Sequence, residues 1–480
     1  MSSALLWIGL PLVLGAALIL LRRGAGVLSL ALCLGLSLVL AWIAWQVPIN
    51  TPNTLGPFTL QIAPTLSVFG RSFTLADSDR VVLGLAYAGL SLWLAGSFFA
   101  QPGRLFAPIA LIVTGLLLAA YAVEPFLYAA LLMATAVLIS VPMLAPPGTQ
   151  QAQGVLRYVV FQLFAVPFLL FAGWLLSGVE ASPGDLDLVI RAGVLLGLGF
   201  LFLVAAIPFH AWVPRLMKDS HPYAATFILA FLPTLALVFA LTFFDRYAWL
   251  RDRQAVYGLL MAIGSVSVLL AGVWAASQKR LTGILAYAAV LGVGSSLQAL
   301  GLGGSQSVQL LFAQVHPRGI ALLVFALALS AFRQVGRTGL TLDGFGTSSA
   351  RHPLLATALL LAIFSLAGLP LLAAFPAQWQ LWLALSNTSA WALGASLLGS
   401  LGLCIAGLRW LVACVQRPVI AVAEQGLEEP LEGEPRDLED PYVWVYFLAS
   451  VSILLLIGNA PALVYRNLAD FLVVFPQIGP

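Results

Sequence analysis

Ionisable side chains are rare in this sequence, and five of them fall in the stretch IPFHAWVPRLMKDSHPYAA, residues 207–225. It combines three prolines and two histidines with Arg215, Lys218 and Asp219. Histidine titrates near neutral pH and can therefore pass protons. Ionisable groups kept in apolar surroundings are costly and generally mark ion or proton pathways. The candidates for such a path are Glu124, His210, His316 and Arg318.

The surroundings of these residues are those of a membrane protein. Of the 480 residues, 61% are hydrophobic and only 9% are charged, and the mean hydropathy is +1.01. A soluble protein would have about 25% charged residues. Apolar runs near the 20 residues that cross a bilayer as a helix recur along the chain, whereas a barrel would show alternating segments of about ten. The fold class is therefore all-α and polytopic. The net charge of +3 is scattered, so no nucleic-acid partner is indicated.

The apolar runs and their breaks predict about fourteen transmembrane helices. The predicted spans are 4–21, 26–46, 79–99, 106–122, 123–145, 155–179, 188–213, 222–244, 254–277, 281–301, 308–332, 352–386, 389–415 and 442–460.

Prolines predict interruptions at helices seven and eight and in helix twelve. The residues expected to break these helices are Pro208, Pro214, Pro222, Pro233, Pro370 and Pro376. A proline in a helix interior costs about 3 kcal/mol or more, and the backbone groups that it frees must be satisfied inside the bilayer. A simple kink is one interpretation. An ion or substrate site is the other, because broken helices line such sites in transporters.

The connections complete the predicted topology. Residues 47–75 alternate polar and apolar residues and predict an external hairpin, and 424–440 form an acidic cytoplasmic loop that is either solvated or a docking strip for a basic partner. The expected location is a bacterial cytoplasmic membrane, and the distribution of basic residues favours an orientation with both termini on the periplasmic side. We expect N-terminal helices in 1–100, a core in 101–390 and C-terminal helices in 391–480.

Several stretches resemble a known family. Residues 207–225 are similar to the signature of the antiporter-like, proton-translocating subunits of respiratory complex I, the NADH-quinone oxidoreductase, which are related to multisubunit Na⁺/H⁺ antiporters and membrane-bound hydrogenases. Four further stretches agree in order and spacing: VEPFLYAALLMATAVLIS, SQKRLTGILAYAAVLGVGSSLQALGL, LLFAQVHPRGIALLVFALALSAF, and GRTGLTLDGFG followed by SLAGLPLLAAFPAQWQLW. The likeness covers roughly residues 100–390. It implies an inverted-repeat helical bundle whose partners are other membrane subunits and the lipid bilayer.

The resemblance also implies a chain of ionisable groups along the midplane, and this sequence matches it unevenly. Glu124 matches the glutamate of helix five, and His316 matches the histidine of helix eleven. The positions at which the family has lysine or another ionisable residue are occupied here by Leu203, Pro233, Ile320 and Gln378. The chain has only two lysines, Lys218 and Lys279, and both flank predicted helices. We expect Glu124 to lie within span five, where it is either neutral or paired with Arg318 or Arg409.

These residues leave three functional interpretations open. The chain is a structural or coupling module of a complex I-like assembly with impaired or absent proton translocation, or it still conducts protons through Glu124, His210, His316, Arg318 and water. The third interpretation is a cation/proton antiporter or ion-coupled transporter subunit outside complex I. No catalytic residue, metal site or cofactor site is predicted, so electron transfer and quinone chemistry would belong to partner subunits. The three cysteines are interpreted as core residues.

Overall fold

A computed structural model describes residues 2–21, 26–55, 58–68, 70–146, 153–181, 186–335, 340–415, 441–462 and 468–478. The predicted acidic loop 424–440 lies outside the described residues.

The N-terminal part of the chain consists of four helices and a small β-structured connection. A π-helical turn, Leu5–Gly9, leads into α1. The helices are α1 (Leu10–Leu20), α2 (Gly26–Gln46), α3 (Arg80–Ala100) and α4 (Phe106–Ala122). The strands are β1 (Pro52–Leu55), β2 (Phe58–Gln61), β3 (Thr65–Val68), β4 (Arg71–Thr74) and β5 (Val123–Glu124).

The rest of the described chain is helical. The helices are α5 (Leu127–Leu144), α6 (Gln153–Ala181), α7 (Leu186–Val204), α8 (Trp212–Asp219), α9 (Pro222–Arg246), α10 (Ala248–Arg251), α11 (Gln254–Ser277), α12 (Leu281–Leu300), α13 (Gly304–Val335), α14 (Leu342–Arg351), α15 (Pro353–Leu366), α16 (Phe375–Thr388), α17 (Ala390–Val415), α18 (Pro441–Asn459) and α19 (Leu468–Val474).

The prediction of a helical membrane bundle is confirmed. Ten of the helices in the described ranges are long and apolar enough to span a bilayer, and four shorter apolar helices coincide with other predicted spans. Helices α4, α9, α12 and α13 are the most deeply buried, whereas α2, α6 and α7 have the smallest shares of buried residues among the long spans. The bundle therefore has a central group of helices with a peripheral layer around it.

Glycines allow the backbones of α11 and α17 to approach closely. A side chain at Gly272 on α11 would meet the backbone of Gly399 on α17, and one at Gly402 would meet Gly272 in turn. Membrane helices associate through such contacts because lipid provides no hydrophobic driving force between them. These glycines therefore hold α17 against α11.

The predicted hairpin is present as two antiparallel pairs. β1 pairs with β2, with Asn53 opposite Leu60, and β3 pairs with β4, with Leu66 opposite Phe73. β5 extends the second pair into a three-stranded sheet. The connection between α2 and α3 therefore also holds the residues that precede α5.

Both predicted interruptions are present, although only two of the prolines lie in them. Pro208 lies between α7 and α8, and Pro370 lies between α15 and α16. The expectation for the other prolines is wrong. Pro214, Pro222 and Pro376 lie in the first turns of α8, α9 and α16, where the missing N–H has no helical acceptor to lose. Pro233 lies within α9, which continues through it.

Candidate functional site

Glu124 does not lie in a helix. It belongs to β5, where it pairs with Ser72, and its side chain is exposed. The expectation that it lies within span five is therefore wrong, because the sheet holds this segment extended and α5 begins only at Leu127. The expected ion pairs with Arg318 and Arg409 are also absent among the described residues.

The first helix interruption is satisfied by neutral side chains. Leu203 is buried near the end of α7, and Gln162 on α6 donates hydrogen bonds from Nε2 to the carbonyl oxygens of Phe202 and Leu203 at 3.4 and 3.3 Å. Ile207 N–H donates to the Ser267 hydroxyl of α11 at 3.2 Å. Helix ends leave backbone groups without helical partners, and hydrocarbon offers none. Amide and hydroxyl groups therefore stabilise this break.

His210 lies in this interruption and stacks on an aromatic ring. Its ring is 5.0 Å from that of Trp274, with 15° between the ring planes, and the ring of Tyr287 is 6.4 Å away. Its Nδ1 atom is buried without a hydrogen-bond partner among the described residues. Stacking on Trp274 therefore fixes the orientation of the imidazole in this break.

His221 caps the next helix. Its Nδ1 accepts a hydrogen bond from the Tyr223 backbone N–H at 3.3 Å, at the start of α9. Burial, reinforced by the positive charge of Arg333, lowers the pKa of His221 to about 3. A nitrogen that accepts a hydrogen bond must be unprotonated. The capping hydrogen bond and the lowered pKa therefore both indicate a neutral imidazole. The structural role is sufficient to explain this histidine.

At the second interruption, the backbone groups also form hydrogen bonds with uncharged side chains. Leu371 adopts a positive φ of 71° between α15 and α16. The backbone N–H of Ala374 donates to the Ser365 hydroxyl at 3.4 Å, and Asn459 of α18 donates to the Leu371 carbonyl at 3.3 Å. Gln378, at one of the substituted positions, is buried and donates to the Ser396 hydroxyl at 3.4 Å. The break therefore persists without a charged group.

His316 and Arg318 lie on α13 and line the same cavity. This cavity has a volume of about 180 Å³ and lies among α3, α9 and α13. Its walls are mainly apolar and include Trp93 and Phe231, together with Ile320 at a substituted position. Pro233, at another substituted position, is buried in the adjacent part of α9. The structure thus brings two of the four predicted path residues together, whereas His210 lies at the first interruption and Glu124 in the sheet.

Arg318 is hydrogen-bonded across to α12. Its Nη1 donates to the carbonyl of Gly292 and, at 2.7 Å, to the Ser296 hydroxyl. Arg409 on α17 similarly donates to the carbonyls of Ala276 and Gln278 at the end of α11. Guanidinium groups stay protonated, so these contacts hold a positive charge without passing a proton.

The carboxylates of the described residues lie away from the interior of the bundle. Each belongs to a loop, a strand or a position within two residues of a helix end. Tyr121 donates to Asp79 at 2.6 Å, and Asp245 accepts from the backbone of Gln477 at 2.7 Å. Both lysines also lie at helix ends, since Lys218 is in the last turn of α8 and Lys279 lies between α11 and α12. No lysine–carboxylate pair therefore occupies the interior of the described bundle.

Sequence reasoning missed the amides that lie inside the bundle. Gln162, Gln298 and Gln314 are buried on α6, α12 and α13. Gln298 donates to the Ser265 hydroxyl at 2.9 Å and to the Ala392 carbonyl at 3.1 Å. A glutamine within an apolar span was the available signal, because a buried amide requires partners.

Comparison with known proteins identifies the family. Residues 149–405 match the family described as NADH:quinone oxidoreductase/Mrp antiporter, TM. The chain belongs to this family. The match includes both interruptions together with His210, His316 and Arg318, whereas Glu124 lies before its first residue.

Relatives and a solved structure agree with this assignment. The chain is 28% identical to NADH-quinone oxidoreductase subunit N of Pelagibacter ubique over 53% of this chain and 56% of that protein, so it spans about half the length of that relative. It is 26% identical to NADH-quinone oxidoreductase subunit 14 of Thermus thermophilus over 93% of both chains. A chain of the Mrp complex from a Dietzia species has the same fold, with a TM-score of 0.74, 16% identity and 99% of each chain covered.

Proposed function

We propose that this family member is a membrane subunit of a complex I-type assembly, in which it acts as a structural or coupling module without passing protons through its own interior. The observation that carries the proposal is the absence of a lysine–carboxylate pair from the described interior of the bundle. Such pairs are suited to proton transfer because a small change in their separation shifts both pKa values. Leucine, proline, isoleucine and glutamine at the substituted positions provide no proton carrier.

At both helix interruptions, uncharged side chains form the hydrogen bonds of the freed backbone groups, which supports this proposal. Gln162 and Ser267 form hydrogen bonds with backbone groups of the first break. Ser365 and Asn459 do so at the second break. A break in a membrane helix costs free energy unless its backbone groups find partners. Here amides and hydroxyls supply those partners, so the architecture is stable without the charges of a pump.

Isolation of the native complex tests the proposed assembly. The chain, carrying an affinity tag, is purified from its own membranes in a mild detergent, and the co-purifying proteins are identified by mass spectrometry. We expect other membrane subunits together with redox-active subunits of a quinone oxidoreductase. Co-purification with Na⁺/H⁺ antiporter subunits alone, or purification as a single chain, contradicts the assignment to a complex I-type assembly.

A second candidate is residual proton conduction through Glu124, His210, His316, Arg318 and water. The cavity that His316 and Arg318 share favours it, because the space extends between the central helices. The matched test is the proton leak of proteoliposomes that contain wild-type chain or Glu124→Gln. A leak that this substitution abolishes favours conduction, whereas equal fluxes at the level of protein-free vesicles favour the structural role.

The proposed location is the bacterial cytoplasmic membrane with both termini on the periplasmic side. The basic residues at the ends of the predicted spans support this orientation, since positive residues concentrate in cytoplasmic connections. Fusion of a reporter that is active only in the periplasm to the C-terminus provides the test. An active fusion agrees with the orientation, and an inactive but stable fusion contradicts it.

A further inference from the structure

A small cavity lies where α16 begins, between α12, α13 and the second helix interruption. Its volume is about 30 Å³, and a single water occupies about 10–15 Å³ on this measure. It can therefore hold one small ion or about two waters. Its polar and backbone walls are formed by Gly292, Ser295, Gln314, Arg318, Ala374 and Gln378.

Two side chains of α13 provide unused hydrogen-bond donors. Gln314 is only 6% exposed, and its Nε2 is buried without a partner among the described residues. Arg318 follows four residues later, on the same face of the helix. Only its Nη1 donates within the described chain, so Nε and Nη2 retain their hydrogen-bonding capacity. The cavity wall thus combines a neutral donor with a charged one.

The start of α16 adds a third source of positive potential. Ala374, the residue before this 14-residue helix, and Ala377 in its first turn both line the cavity. A helix N-terminus carries about half a positive charge and favours an anion. The N–H groups of Ala374 and Phe375 already donate to Ser365 and Leu372, and Pro376 has none, so the helix dipole and the N–H of Ala377 supply this contribution. The helix interruption therefore turns a polarised helix end towards Arg318.

No carboxylate balances this charge among the described residues that line the cavity. A guanidinium inside a bundle is costly without a counter-charge, and water satisfies its donors without neutralising it. We propose that the cavity binds a small monovalent anion, chloride, between Arg318 and Gln314. The bound chloride neutralises Arg318 and joins α13 to the start of α16. This site goes beyond the proposed function and does not depend on it.

Thermal unfolding of the purified chain in lipid nanodiscs tests the binding. Chloride replaces gluconate at constant ionic strength and pH, and the unfolding temperature is followed against chloride concentration. We expect a saturable rise, because a ligand that binds only the folded state stabilises it. Bromide in place of chloride should give an anomalous diffraction peak beside Arg318 in crystals. An unfolding temperature that is independent of chloride, or a cavity without a bromide peak, overturns the proposal.

Gln314→Glu is the decisive variant because it keeps the shape of the side chain and supplies a fixed carboxylate one turn before Arg318. We expect its stability without chloride to reach that of the wild type with chloride, and its chloride response to vanish. Arg318→Gln should weaken the apparent affinity about ten- to hundredfold, since it removes a charged hydrogen-bond donor. Persistence of the wild-type response in Gln314→Glu contradicts the site.

Arg409→Gln is the matched control. Arg409 also donates to backbone carbonyls inside the bundle, but it does not line this cavity. We expect it to keep the chloride response of the wild type, even if its overall stability is lower. Loss of the response in Arg409→Gln to the same extent as in Arg318→Gln would show a non-specific effect of arginine removal and overturn the assignment.

Discussion

Arg318 and Gly292 determine each other's position. A Cβ atom at position 292 would collide with Cδ of Arg318, and the Gly292 carbonyl accepts a hydrogen bond from the same side chain. The absence of a side chain on α12 is therefore what lets the guanidinium cross from α13. The resemblance to the family indicated His316 and drew attention to Arg318, but the requirement for glycine at 292 depends on a packing distance that spacing along the chain does not encode.

Gly292→Ala should destabilise the protein. Alanine at an unobstructed helical position is favoured over glycine by about 0.5–1 kcal/mol, but here the added methyl group collides with Arg318 and costs about 1–3 kcal/mol. The measurement is thermal unfolding in nanodiscs. Gly319→Ala is the control, because no heavy atom lies within 4 Å of its added Cβ. Equal unfolding temperatures for both variants would contradict the proposed contact.

His221 should make the protein less stable in acid. Its pKa is about 3 in the folded protein and 6.5 in the reference state, so the folded state disfavours protonation. Its contribution to stability is complete above pH 6.5 and is lost progressively as the pH falls towards 3. The unfolding temperature of the wild type should therefore decrease between pH 7 and pH 5. His221→Asn, which keeps a capping acceptor without a titrating group, should show a smaller decrease; an identical decrease counts against this account.

At the scale of elements, hydropathy predicted the spans because each helix must cover the same hydrocarbon thickness. The proline pattern located both interruptions, but it could not distinguish Pro208, within a break, from Pro222, at a helix start. Glu124 was misplaced for a different reason. Its segment pairs with Ser72, which is distant in sequence, and a two-residue strand has no periodicity to detect. Long-range pairing therefore overrode the local helical pattern.

Gln162→Leu tests the idea that neutral groups hold the first interruption. The substitution removes the donor to the carbonyls of Phe202 and Leu203 and should cost about 1–3 kcal/mol for the buried groups left unpaired. Thermal unfolding, with protease sensitivity of the 205–211 segment, measures the effect. Gln153→Leu is the control on the same helix, because Gln153 is exposed. A Gln162→Leu protein as stable as this control would show that the break is held by other contacts.

At the scale of the whole molecule, a transporter-like bundle surrounds an interior that is poor in titratable groups. Two central helices, α9 and α13, line the larger cavity, and α13 carries His316 and Arg318, two of the four candidate path residues. Both helix interruptions are retained in neighbouring helices. The charges inside the described bundle include Arg318 on α13 and Arg409 on α17, which donate to backbone carbonyls and, for Arg318, to a hydroxyl. This arrangement fits the proposed coupling role, which requires only that the shape of the bundle be transmitted to its partners.

The proton permeability of the purified chain is the most direct test of this account. Wild-type protein is reconstituted in liposomes that contain a pH-sensitive dye, a pH gradient is imposed, and valinomycin with potassium holds the membrane potential at zero. A proton-conducting carrier protein provides the positive control, and protein-free vesicles set the background. We predict that the wild-type chain stays at the background rate. A proton flux above background that scales with the amount of incorporated protein would contradict the central claim.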